Sequence, residues 1–241
     1  MTIITGDDDK ELRNSIRNAN ADGYIFLYSD LDDKLINYMY EEHLLFVLLG
    51  KATTMVNETL CVDTDNVHAA YEAVNYLVSM GHKKIGYIGT DAKRVFSLDR
   101  KMGYIQAMNE HELEIKDSYI QTLSNKTTYT HKNIVKLLKM EDHPTAYVVC
   151  DDIHAVMLER LVREAGLSVP KDISIISFNN TLFARLMNPP LTSFDINSKQ
   201  LGIEAASQLI KHIENSELFA TRIIVPYVLI KRDSVLNLNQ I

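Results

Sequence analysis

The stretch NVHAAYEAVNYLVSMGHKKIGYIG, residues 66–89, decides the fold class. Ala69, Ala70, Ala73, Val74, Leu77 and Val78 recur at helical spacing. Asn66 can cap the start of that helix, and Gly81 can end it in the left-handed conformation that glycine adopts without steric cost. Lys84–Ile88 follows as a short apolar run, which is how a strand covered on both faces reads. Helix, glycine stop and buried strand in succession make one step of a parallel α/β sheet.

The same step repeats on either side. Gly23–Leu27, Leu44–Leu49, Ala146–Cys150 and Ile173–Phe178 read as further buried strands. Asp152 can cap a helix with Ile153, Met157, Leu161, Val162 and Ala165 inward and Gly166 as its stop. Ser198 begins another, with Leu201, Ala205, Leu209 and Ile213 on one stripe. The acids Asp7, Asp8 and Asp9 lack the glycine and distal glutamate of a calcium loop and favour a helix N-terminus instead. The alternation predicts an α/β protein with doubly wound, mainly parallel sheets. No repeat, low-complexity tract or flexible linker interrupts it.

Bulk composition narrows the function classes. The chain has 241 residues, 46% hydrophobic and 24% charged, with a net charge of -7. A nucleic-acid surface usually carries a basic excess, so this stretch by itself is a poor DNA-gripping module. No apolar run approaches the roughly 18 residues a membrane span needs. Met1–Thr5 has neither a basic region nor a long apolar stretch, which argues against a signal peptide. Cys61 and Cys150 are the two cysteines, which predicts a reducing, cytoplasmic setting and no disulfide framework.

Catalytic motifs are missing. The glycines of Gly86-Tyr87-Ile88-Gly89 lie within a strand rather than after one, so no dinucleotide fingerprint is formed. There is no phosphate-loop lysine and no nucleophile elbow, and the eight histidines show no metal-ligand spacing. We therefore expect no enzyme activity, no metal and no cofactor. Polar residues remain at the carboxyl ends of strands, where open α/β sheets bind ligands. Tyr28-Ser29-Asp30, Asp151-Asp152 and Asn179-Asn180 occupy such places. Asp152 and Asn180 read as turn or cap formers, whereas Asp151 and Asn179 are open to either role. Arg100 stands early in a helix, where the helix dipole disfavours a cation, so a bidentate role toward a ligand gains weight. Cys150 reads as a small buried side chain, and His82 as serving the helix end beside Gly81.

Several segments, in order and over about 230 residues, resemble the effector-binding core of the lactose-repressor family of transcription regulators. They are Asp65-Asn66 with Met80–Gly89; Arg100 before Gly103-Tyr104; His143–Asp152; Gly166–Asn180; and Asn188–Phe194. Within the family the maltose-responsive branch is the most similar. The resemblance implies a periplasmic-binding-protein-like fold of two lobes. Residues 1–89 with 193–221 would form the N-terminal lobe, and 90–192 with 222–235 the C-terminal lobe. The crossovers would fall near Gly89-Thr90, Leu191–Phe194 and Thr221–Ile224. Thr2–Thr5 aligns with the family's second strand, so the first strand and helix are expected to be missing from the N-terminal lobe, which should be the less stable one. No helix-turn-helix precedes the core, which places operator DNA binding in a further domain of a longer protein.

The resemblance also carries residues over. Arg100 would clamp the ligand, and Asp151, Asn179, Asp65, Tyr28, Ser29, Phe194 and Asp195 would line its site. Asn179-Asn180 stands where many members carry aspartate. The change removes charge but keeps hydrogen-bonding capacity, which fits a small neutral sugar, of maltose type, rather than a cation. Sugar binding would shift the lobe arrangement. A homodimer is implied, with Val156, Phe183 and Met187 at its interface. A transport sugar-binding protein of the same fold is the alternative, disfavoured by the absence of an export signal. A sugar-modifying enzyme would need a positioned base, for which Asp151 is the one nominee.

Overall fold

A computed structural model describes residues 9–31, 33–91, 93–123 and 128–240; Thr2–Thr5, Asp7 and Asp8 lie outside them. The elements run α1 (Asp9–Asn18), β1 (Tyr24–Phe26), α2 (Lys34–Glu41), β2 (Phe46–Leu49), β3 (Leu60–Asp63), α3 (Asn66–Ser79), β4 (Ile85–Gly89) and α4 (Val95–Glu110). There follow β5 (Ile120–Thr122), α5 (Thr128–Leu138), β6 (Ala146–Val149), α6 (Asp152–Glu164), β7 (Ser174–Phe178), α7 (Leu182–Leu186), β8 (Thr192–Asp195), α8 (Ser198–Glu214), β9 (Arg222–Ile224) and β10 (Val228–Ile230). All the strands expected from apolar runs are present, but β1 is not buried as expected: Ile25 is 38% exposed.

The chain forms two compact units, Met1–Asp63 with Lys199–Val225, and Thr64–Ser198 with Pro226–Ile241. The first holds a parallel sheet of order β1-β2-β3-β9. The second holds a sheet of order β10-β8-β7-β6-β4-β5, parallel except for β10 against β8.

The boundaries differ from those expected at 89/90, 192/193 and 221/222. β4 is an interior strand of the larger sheet, with Ile85 to Ile88 paired to Ala146 to Val149 of β6. α3 and β4 therefore belong to the second unit, and the first crossing falls at Asp63–Thr64. β8 pairs with β7, which moves the second crossing to Ser198–Lys199, and β9 pairs with β3, which moves the third to Val225–Pro226.

Strand alternation sorts the second unit's core onto two faces. Ile85 and Tyr87 of β4 face Ala69, Ala70, Ala73, Val74 and Leu77 of α3 and Tyr104, Ala107 and Met108 of α4. Ile88, Tyr147 and Val149 face Ile134 and Leu138 of α5 and Ala155, Leu158, Leu161 and Val162 of α6. Gly103 allows α3 and α4 to meet closely, because a Cβ there would lie 1.9 Å from the Val67 carbonyl oxygen. In the first unit Ile16, Ile36 and Met39 pack on Phe46, Leu48 and Cys61.

Local expectations shift at the helix ends. Gly81 (φ +91°) and Gly166 (φ +84°) adopt the left-handed conformation that the stops require. The caps, however, are Asp65 and Asp151, each one residue before the residue expected. Asp65 Oδ1 accepts from the His68 amide at 2.9 Å and Asp151 Oδ1 from the His154 amide at 2.8 Å. Asn66 and Asp152 thus lie inside the first turns. Ile153, expected inward, is 53% exposed because α6 starts with Asp152 buried instead. Arg100 stands six residues into α4, beyond the first turn, so the dipole argument does not apply to it. Phe183–Leu186 lies in the short helix α7.

Candidate functional site

The polar groups of the second unit collect where β6, β7 and β8 end. Arg100 reaches in from α4 and is 3% exposed. Its Nε donates to Asn66 Oδ1 at 2.8 Å, one terminal nitrogen donates to the Cys150 carbonyl, and the other lies 3.5 Å from Asn179 Oδ1. The guanidinium carbon sits 4.3 Å from the centre of the Phe178 ring and 5.1 Å from that of Phe96, a placement that favours a flat cation over π-faces. Asn179 holds φ at +96°, in the region that Asn tolerates better than most residues.

Asp151 caps α6 and is also paired with His154, whose Nδ1 stands 2.8 Å from each carboxylate oxygen. Burial works to raise the Asp151 pKa. The His154 hydrogen bonds and charge, with the Arg100 charge, outweigh it and hold the carboxyl below its ordinary range. Cys150 is wholly buried, and burial followed by the Asp151 charge pushes its thiol well up. It is the small buried side chain expected.

Asp152, which the sequence presents as a turn or cap former, is neither in the folded chain. Its carboxylate is completely buried. Oδ1 accepts from Ser177 Oγ at 2.6 Å and Ser193 Oγ at 2.8 Å; Oδ2 accepts from the Thr181 amide at 2.6 Å and Thr181 Oγ1 at 2.8 Å. One charge thereby ties together β7, β8 and the start of α7. Nothing in the local pattern marks it, because all its donors are at least 25 residues away.

Of the expected ligand residues, the fold brings Arg100 and Asn179 together, with Asp151 one residue beyond the carbonyl that Arg100 binds. Asp65 is an exposed cap whose neighbour Asn66 holds Arg100. Asp195 accepts from Asn180 Nδ2 at 2.9 Å, and Asn180 Oδ1 accepts in turn from Arg232 at 2.5 Å. Phe194 requires correction. It is 0% exposed and stacked on Phe178 with ring centres 5.2 Å apart, so it is core and offers a ligand no surface. Tyr28 and Ser29 belong to the first unit. Tyr28 is half exposed, while Ser29 is buried and donates to the Lys51 carbonyl at 2.9 Å. Val156 is half-buried on α6, as is Met187 after α7; Phe183 is 53% exposed beside Leu182 and Leu186. His82 closes α3 as expected: its amide donates to the Leu77 carbonyl, and its ring bridges Thr145 Oγ1 and the Leu236 carbonyl.

Known proteins resemble the chain throughout. Residues 74–235 match the family described as periplasmic binding protein-like domain. The transcriptional regulator MalR of Streptococcus pneumoniae is 30% identical over 246 residues, spanning 96% of this chain and 70% of that protein. The HTH-type transcriptional repressor PurR of Mannheimia succiniciproducens is 28% identical, spanning 96% and 70%. The catabolite control protein A of Priestia megaterium is 29% identical, spanning 91% and 67%. Among solved structures, a LacI transcriptional regulator from Bacillus cereus subsp. cytotoxis superposes with a TM-score of 0.88 at 33% identity, covering 97% of this chain and 84% of that one.

Proposed function

We propose a function from one premise: this chain belongs to the LacI family of transcriptional regulators, through their periplasmic binding protein-like domain. It is the ligand-binding core of such a regulator, and its relatives are transcription regulators, not enzymes. In our reading the core senses a small neutral sugar of maltose type, held in the cleft between its lobes. As in the sequence reading, it works as a cytoplasmic homodimer and represses through a helix-turn-helix domain of the parent protein that binds operator DNA.

The observation that carries the ligand class is the company of Arg100. A guanidinium 3% exposed stands beside an uncharged amide, Asn179, and Asp151, whose carboxyl feels the Arg100 charge, is hydrogen-bonded to His154. Such a group can donate to sugar hydroxyls, and the neutral Asn179-Asn180 pair offers no charge to hold a cationic ligand. The similarity to MalR supports the maltose choice.

Calorimetric titration with maltose tests the reading, with Arg100→Ala alongside. Loss of charge-assisted hydrogen bonds should weaken binding by about 2 kcal/mol or more, roughly thirtyfold. Equal affinity in both proteins would remove Arg100 from the site. No heat with maltose, but heat with another neutral sugar, would correct the sugar and keep the class.

A further inference from the structure

Three donors of different chemistry converge where β6 hands over to α6. The Cys150 sulfur, the Asp151 carboxylate and His154 Nδ1 each offer one atom, and these atoms all lie within 4.8 Å of one another. Sγ is 3.7 Å from Oδ2, and Nδ1 is 2.8 Å from both carboxylate oxygens. The imidazole is fixed from its far side, where Nε2 lies 3.1 Å from the Leu123 carbonyl oxygen. A carbonyl only accepts, so in the neutral ring the proton belongs on Nε2. Nδ1 then turns a lone pair toward a carboxylate, and something positive belongs between the two acceptors. The sulfur on the same side makes room in the donor set for more than a proton.

We propose that Cys150, Asp151 and His154 form a binding site for a zinc-like divalent cation, with a fourth position left open to water or a hydroxyl. A histidine that ligates through one nitrogen while donating the other to a backbone carbonyl is the usual arrangement around metals. A sulfur, nitrogen and carboxylate set suits zinc better than calcium or magnesium, which prefer oxygen alone. The donors come from five consecutive residues, and the cap of α6 already orients two of them. Two features oppose such a site: Arg100 donates to the Cys150 carbonyl, and burial favours the protonated thiol. Binding answers both within the site. The S–H bond is exchanged for a sulfur–metal bond and its proton leaves to solvent, so thiolate and carboxylate together supply two negative charges against two positive.

Chelator-treated full-length chain titrated with cobalt chloride, then with zinc chloride, tests the site without any sugar. We expect one cobalt per chain, a thiolate-to-cobalt charge-transfer band, and displacement of that band by zinc. Cys150→Ser should abolish the band, and His154→Gln should weaken cobalt binding at least about tenfold. Far-UV circular dichroism checks each variant's fold. Should either fail to fold, Asp151→Asn keeps a cap-forming side chain and must still weaken binding. Absence of the band in the wild type, or affinity unchanged in a folded His154→Gln or Asp151→Asn, overturns the proposal and leaves a proton as the charge between Nδ1 and Asp151.

Discussion

Removing the Asp152 carboxylate tests whether one buried charge holds the strand ends of the second unit. It accepts four hydrogen bonds, from Ser177, Ser193 and twice from Thr181. Bonds to a charged acceptor contribute roughly 1.5–3 kcal/mol each, so a plain sum exceeds about 6 kcal/mol. That sum is too large, because three of the donors are hydroxyls that can turn to other acceptors, and energies within one network do not add. Deleting one side of a buried charged network costs about 3–5 kcal/mol. Asp152→Ala should therefore lower the unfolding free energy by about 3–5 kcal/mol, a large share of the roughly 5–15 kcal/mol typical of a domain. Asp152→Asn keeps one acceptor oxygen but turns an amide NH2 toward two donors, and should cost about 2–3 kcal/mol. Urea unfolding followed by far-UV circular dichroism measures both, with an unchanged m-value showing that the same surface unfolds. An alanine variant within about 1 kcal/mol of wild type would refute the reasoning, since it would mean that the four donors find water or other partners at no cost.

Gly103→Ala should force α3 and α4 apart, because the new methyl meets the Val67 carbonyl oxygen at 1.9 Å; a loss of about 1–3 kcal/mol or more in the same urea assay is expected, and an unchanged midpoint would contradict the close approach. Burial lowers the His82 pKa below its ordinary 6.5, opposed only in part by the Leu236 carbonyl. The unfolded chain then binds the extra proton first, so this contribution is present above about pH 6.5 and is lost as pH falls below it; His82→Gln should flatten the slope of stability between pH 7.5 and 5.5. Asp151, whose pKa is lowered, acts in a separate and more acid window, its contribution being lost as pH falls below the ordinary 3.8. Phe183→Asp with Leu186→Asp should shift sedimentation of the chain from dimer to monomer, and a wild-type chain already monomeric at micromolar concentration would count against the proposed interface.

What the sequence makes legible depends on range. The continuous apolar runs of β4, β6 and β7 are visible because both faces of those strands are covered, so every position is apolar or small. β5, β9 and β10, three residues each and partly exposed, carry no such run and go unread, as do β3 and β8, whose four-residue stretches LCVD and TSFD are short and end in aspartate. Lobe boundaries fail for a related reason: β4 looks alike in either sheet, and only its pairing with β6 assigns it. Helix stops are legible, since a left-handed residue selects glycine. Caps are legible only to within one residue where two polar residues stand side by side, as in Asp65-Asn66 and Asp151-Asp152. At the candidate site, Arg100 and Asn179 are each singled out by the sequence and the fold adds their 3.5 Å contact, whereas the role of Asp152 and the Cys150–Asp151–His154 cluster are not legible. The first is built from partners far along the chain, and the second depends on a ring orientation set by the Leu123 carbonyl.

The placement of Arg100 changes what its clamping role would mean. From sequence it reads as a bidentate fork waiting for a ligand hydroxyl or carboxylate, but the folded chain has committed most of it. Nε is held by Asn66 and one terminal nitrogen by the Cys150 carbonyl, while stacking on Phe178 fixes the plane. The contact to Asn179 Oδ1, at 3.5 Å, is the longest of the three and at the limit of a hydrogen bond. In the proposed effector reading a sugar hydroxyl would therefore compete for the nitrogen facing Asn179, where there is least to lose, and leave the other bonds intact. Such a guanidinium is ordered before the ligand arrives, so little side-chain entropy remains to be lost on binding. The same buried anchoring ties recognition to the fold: Asn66 opens α3, Cys150 follows β6 and Asn179 follows β7, so a ligand that moves the Arg100 fork presses on three elements of the second unit at once.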